Sequence, residues 1–265
     1  MIKGSLTLLL LAAWGAGASN ISSTRELLKH YDSATKKTYQ RYIRAYNNVR
    51  TLQDFRTVYA QMTRATEAFA KPLQKELDQW QTLADRLQPG QKLPPQPAYQ
   101  WAEKTFPGLD IGLEAEGTAV VMRPSWLKLS TLARKTASKQ DDQFVSLMRQ
   151  LHGDVETSYP VWMTQTWDYG GCSHLGSGKH SQFLKALRAQ MNAQSPFKKT
   201  LQQQETYLIG DLLTNKDFCQ SQASALKEMR GLIANYTWSG AQKQKLQARY
   251  RALQGKTFSF NTMNP

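Results

Sequence analysis

The chain has 265 residues, 34 Lys+Arg against 20 Asp+Glu, a formal net charge of +14, 40% apolar residues and two cysteines. That length can bury a full core. Beyond the amino-terminal run no apolar stretch approaches 18 residues, which excludes a membrane-spanning helix in the processed chain.

Residues 1–18 read as a secretory signal: Lys3 is the charged start, Leu6 to Ala13 the apolar run, and Ala16-Gly17-Ala18 the small-residue cleavage pattern. Cleavage near Ala18 leaves 247 residues, 19–265, and loss of Lys3 brings the charge to +13. The expected location is the periplasm or the exterior, where thiols pair. Export also excludes ATP-driven and nicotinamide-linked chemistry, because those cofactors are not supplied there, and no cofactor is predicted.

The body of the chain reads as one mainly helical domain. Ser23-x-x-Glu26 is a capping box, and Leu28, Tyr31, Thr35, Tyr39, Tyr42, Tyr46 and Val49 follow at helical spacing to about Arg50. Thr51-x-x-Asp54 starts a second helix carrying Phe55, Tyr59, Met62, Phe69, Leu73, Leu77 and Trp80. Pro72 should kink or split it. Together they predict a helical hairpin over 23–88, whose polar faces are basic at Lys36, Lys37, Arg41 and Arg44.

Residues 89–97, with four prolines, form a Pro-rich linker, followed by a helical patch near Tyr99 to Phe106. Alternation through Ile111, Leu113 and Ala115, the turn Gly117-Thr118 and the run Ala119 to Met122 predict a β-hairpin over 110–123. Two strands alone are marginal in water, so they must pack on a helix or gain a third, for which Phe258 and Phe260 in the tail are candidates.

Residues 125–265 read as a disulfide-clamped helical half. Helical stripes recur at Trp126 to Leu132, Phe144 to Leu151, Phe183 to Met191, Leu201 to Leu212, Leu226 to Tyr236 and Leu246 to Leu253. Cys172 and Cys219 are expected to pair, given the even count and the compartment. Such a bridge would clamp the turn-rich segment 154–179 onto the helix that carries Leu226.

Chemistry concentrates in 159–180, YPVWMTQTWDYGGCSHLGSGKH. Gly176-Ser177-Gly178-Lys179 resembles a phosphate loop, but Ser173 and His180 stand where the Walker pattern needs Gly and Ser/Thr. Cys172, His174, His180 and Asp168 have metal-ligand identities, and Cys172 beside His174 or His180 could be a nucleophile. Both readings cost the disulfide, so no metal site is predicted and these histidines are expected on exposed loop positions. Asp168, His174 and His180 remain the weak catalytic candidates. Glu114 and Glu116 share a strand face, where a solvated edge explains them better than a glycosidase pair, which faces across a bond.

Trp162, Trp167, Asp168, Tyr169 and Lys179 form the predicted binding set, an aromatic and acidic platform for sugar rings or a protein partner. Residues 179–256 carry 13 Lys+Arg against four Asp+Glu. The expected role is therefore non-enzymatic binding in the envelope, of an anionic wall polymer or, as an inhibitor or immunity-like protein, of a secreted hydrolase. The expected partner is an anionic envelope polymer or an acidic protein, held by electrostatic attraction and oriented by Trp162, Trp167 and Tyr169. Aromatics are not interleaved with these charges, so nucleic acid is not expected. The rival readings are a cell-wall hydrolase using 159–180 and an assembly factor docking through the 23–88 hairpin. Asn20 and Asn235 match the glycosylation pattern by chance spacing.

Overall fold

The computed structural model describes residues 21–88, 90–99, 101–114, 117–157, 159–165, 171–255 and 258–260. The predicted signal and its cleavage point lie outside them. The protein is mainly helical, with ten helices, an antiparallel two-stranded sheet and a second small sheet among the described residues. None of these helices is long and apolar enough to cross a membrane. Two compact units divide after Lys128.

The first unit opens with α1 (Thr24–His30), α2 (Ser33–Asn47) and α3 (Leu52–Arg86). The single first helix expected from periodicity is instead two. Asp32 accepts the Thr35 N–H at 2.6 Å, so a local side-chain cap restarts the helix there. The Thr51–Asp54 capping box starts α3 as read, but Pro72 does not split it. Proline lacks an N–H, and in that disturbed turn the Tyr31 hydroxyl donates to the Phe69 carbonyl at 3.0 Å.

The tyrosines of this stripe bury apolar rings and still satisfy their hydroxyls. Tyr39 donates to the Thr105 carbonyl and Tyr42 to that of Pro107, while Phe69 and Phe106 stack at 4.9 Å. One turn of helix, α4 (Ala102–Thr105), leads into β1 (Leu109–Glu114), which pairs with β2 (Ala119–Pro124). Gln74 on α3 holds this hairpin, accepting from Val120 N–H at 2.7 Å and donating to the Thr118 carbonyl at 3.0 Å. The Pro-rich stretch is tied to the same helix, where Trp80 Nε1 donates to the Pro94 carbonyl at 2.9 Å. Glu114 is paired with Arg123 across the hairpin, and Glu116 lies outside the described residues.

Helix α5 (Trp126–Ala133) crosses the division between the units. The second unit then holds α6 (Lys139–His152), β3 (Met163–Gln165), β4 (Gly171–Ser173), α7 (Lys179–Asn192), α8 (Lys198–Thr214), β5 (Asp217–Phe218), α9 (Gln222–Asn235), α10 (Gly240–Leu253) and β6 (Ser259–Phe260). Its sheet runs β3-β4-β5-β6, antiparallel at β3–β4 and parallel after that. Parallel neighbours need long crossovers, and the helix pairs α7–α8 and α9–α10 supply them. The aromatic tail therefore belongs to this sheet and not to the 110–123 hairpin, because Phe260 stacks on Phe218 at 5.1 Å.

Cys172 and Cys219 are bonded, with Cα atoms 5.3 Å apart. The bridge does not clamp onto a helix as expected. Cys219 immediately follows β5 and precedes α9, and its N–H donates to the Ser173 carbonyl at 2.8 Å. The disulfide thus fastens β4 beside β5, the seam with the fewest register pairs in the sheet, Ser173 with Phe218 alone. Closing this 47-residue separation stabilises the fold by about 4 kcal/mol in the chain-entropy description.

Candidate functional site

Strand β4 delivers Cys172 and Ser173, and a short loop then leads to α7. Residues 180, 183, 184 and 187 fall on one helical stripe, and all four side chains are buried. His180 is therefore wholly inside, not on an exposed loop as its sequence context suggests. It meets Asp211, which lies on the Leu208–Leu212 stripe of α8.

Asp211 Oδ2 accepts from Ser173 Oγ at 2.6 Å and from His180 Nε2 at 2.7 Å, while Oδ1 accepts from Asn215 Nδ2 at 2.8 Å. Ser173 Oγ also accepts the Leu175 N–H at 3.2 Å. Serine, histidine and aspartate are the members of a nucleophilic relay, but the wiring differs. A relay places the acid on one imidazole nitrogen and the serine on the other. Here Nε2 faces both, at 3.4 Å from the serine, and Nδ1 has no hydrogen-bond partner among the described residues. Ser173 and His180 have no exposed surface, so the cluster can join β4, α7 and α8 but offers no substrate a nucleophile.

The other predicted residues fare variously. Cys172 is in the disulfide, which removes it as a thiolate nucleophile. His174 is half-buried, with Nε2 against Thr164 Oγ1 at 2.7 Å. Burial, with Lys179 and His180 nearby, holds its imidazole below the usual range and favours the neutral ring. Trp162 is fully buried against Phe183 and Tyr207 rather than on the surface. Lys179 is the first residue of α7. Trp167, Asp168 and Tyr169 lie outside the described residues.

The Gly176–Gly178 loop holds an anion, but an internal one. Glu228 on α9 accepts N–H groups from Gly176 (2.6 Å), Gly178 (2.9 Å) and Ser181 (3.0 Å). Gly178, the N-cap of α7, has no capping side chain, and Glu228 does that work from another helix. Gly176 is required twice over, by its φ of 109° and because a Cβ there would stand 2.7 Å from Ala225 N.

This arrangement decides the electrostatics of the surface. The four acids in 179–256 are Glu205, Asp211, Asp217 and Glu228. Glu205 pairs with Arg188 at 2.6 Å, Asp211 is enclosed by neutral donors and the imidazole, and Glu228 is taken up by backbone. Arg188 is the one cation of this stretch in an ion pair among the described residues. Lys185, Lys198 and Lys227 are exposed and edge two adjoining hollows of about 620 and 680 Å³ that share Lys185, Asn235 and Tyr236. Sequence reasoning found the charge excess but neither Asp211 nor Glu228. Their signal was an acid on an apolar helical stripe, beside Leu208 and Leu212 for one and beside Ala225 and Met229 for the other.

Comparisons with models of protein families, with curated proteins and with solved structures found no match to this chain.

Proposed function

We propose that the protein is an exported, non-enzymatic binding protein of the cell envelope that engages an anionic partner through the basic face of its second unit. The observation that carries this reading is the disposition of the acids. Three of four carboxylates in 179–256 are engaged internally, so the lysines of α7, α8 and α9 face solvent without local neutralisation. A field of that kind attracts polyanions and is screened by salt. The buried wiring of Ser173, His180 and Asp211 supports binding over hydrolysis, and the closed disulfide removes the thiol alternative.

Co-sedimentation with an anionic wall polymer, teichoic acid, against neutral dextran tests this. Retention on teichoic acid at about 0.05 M salt, release by about 0.5 M, and a polymer recovered at its original length are expected. Retention on dextran alone, or shortening of the polymer, would refute it.

A further inference from the structure

The two adjoining hollows form one elongated groove between α7 and α9, extending to the start of α8. Its cations outside ion pairs among the described residues, Lys185, Lys198 and Lys227, sit among hydroxyl and amide groups such as Ser177, Ser224 and Asn235. Arg188 and two carboxylates also line it, but Glu205 is paired with Arg188 and Glu228 is held by backbone N–H groups. One wall is prearranged. The Tyr236 hydroxyl donates to the Ser181 carbonyl at 2.6 Å, and the Arg188 guanidinium lies 4.6 Å from the Trp238 ring centre and donates to the Thr237 carbonyl at 2.7 Å.

The lining selects among anions. The exposed large apolar side chains among the described residues are Leu93, Leu127 and Tyr207, and none borders the groove. A protein partner would be anchored by such a group. A single-stranded nucleic acid would use successive aromatic platforms, whereas Tyr236 is the one aromatic lining either hollow. With Glu205 and Glu228 bonded within the protein, the hydroxyls, amides, one aromatic wall and three separated lysines suit a chain of hydroxyl-rich rings bearing acid groups.

We infer that this groove binds a linear acidic glycan, with a sugar ring against Tyr236 and acid groups on Lys185, Lys198 and Lys227. The inference rests on the anionic-partner reading and gives it a site and a ligand class. Fixed walls lower the ordering cost of binding, and the exposed lysines supply attraction.

Affinity for oligogalacturonate, for polyphosphate of matched charge and for neutral maltoheptaose would be measured on the full chain by calorimetry. Two triple variants are compared, Lys185/Lys198/Lys227→Gln in the groove and Lys243/Lys245/Arg251→Gln on α10, with Tyr236→Leu and Tyr236→Phe, each checked by thermal melting. The groove triple should weaken oligogalacturonate binding roughly tenfold or more and the α10 triple less than about threefold. Tyr236→Leu should weaken it most, and Tyr236→Phe, which keeps the ring but loses the hydroxyl anchor to Ser181, should weaken it less, with maltoheptaose bound more weakly throughout. Equal losses in both triples would overturn the groove while leaving the anionic-partner reading standing. Polyphosphate bound as tightly, with no response to Tyr236→Leu, would overturn the glycan assignment. Binding of neither polyanion would sink both.

Discussion

Asp211 holds His180 through Nε2 at 2.7 Å, on the same carboxylate oxygen that takes the Ser173 hydroxyl at 2.6 Å. One buried carboxylate thereby joins three consecutive elements, a strand and the two helices that follow it. Removing it strands two buried polar groups, so Asp211→Ala should destabilise the protein by about 3–5 kcal/mol. Ser173→Ala in that background should add little, because the two act on one oxygen. Urea unfolding checks both, and a fluorophosphonate probe should leave native Ser173 unlabelled. Unchanged stability in Asp211→Ala, or labelling, contradicts the structural role.

Trp162 gives a second test, because a surface platform and a core residue respond oppositely to truncation. Its side chain has no exposed area. Trp162→Ala should cost about 3–5 kcal/mol through lost burial and the cavity left behind. A platform residue would lose ligand affinity with the melting temperature unchanged.

The disulfide is a stability element rather than a reactive one. Cys172→Ser with Cys219→Ser should lower stability by about 2–4 kcal/mol, with polymer binding kept by whatever fraction remains folded. Thiol titration of the native chain should find no free cysteine, and a folded, fully stable double variant that has lost binding would contradict this.

Glu76 predicts a pH dependence. Burial pushes its carboxyl above the ordinary range, against the Ile21 N–H that donates to it at 2.7 Å and the nearby Tyr99. A higher pKa in the folded state means the folded chain binds the proton more tightly. Stability is therefore lost as pH rises from the ordinary carboxylate value through the raised one. Glu76→Gln keeps an acceptor for Ile21 and removes the ionisation. Its stability relative to the natural chain should rise across that window and level off above it in chemical unfolding at a series of pH values. A relative stability that falls with pH contradicts the assignment.

Periodicity made the helices legible, because amphipathic stripes such as Phe55, Met62, Phe69 and Leu77 have one low-energy way to bury. The pairing of Cys172 with Cys219 is legible from their even number and the expected oxidising compartment. The break at Asp32 was hidden because the stripe continues through it, and only the side-chain cap distinguishes two helices from one. The destination of Phe260 was hidden because alternation fixes a strand but not its neighbour. His180 was misplaced for a related reason: glycines before it signal a loop, yet it already lies on the buried stripe that runs through Phe183 and Leu187. Which acids would be consumed internally depends on contacts such as Glu228 with Gly176, 52 residues apart, which no local pattern encodes.

The most direct test of anionic binding through the second unit is the dissociation constant for teichoic acid across a salt series. The natural chain would be compared with Lys185/Lys198/Lys227/Arg230→Gln and with Lys36/Lys37/Arg41/Arg44→Gln on the α2 surface. Affinity should fall steeply with salt in the natural chain, and the slope should shrink in the second-unit variant while the α2 variant stays close to the natural chain. Salt-independent binding, or a loss confined to the α2 variant, would contradict it and favour docking through the 23–88 hairpin.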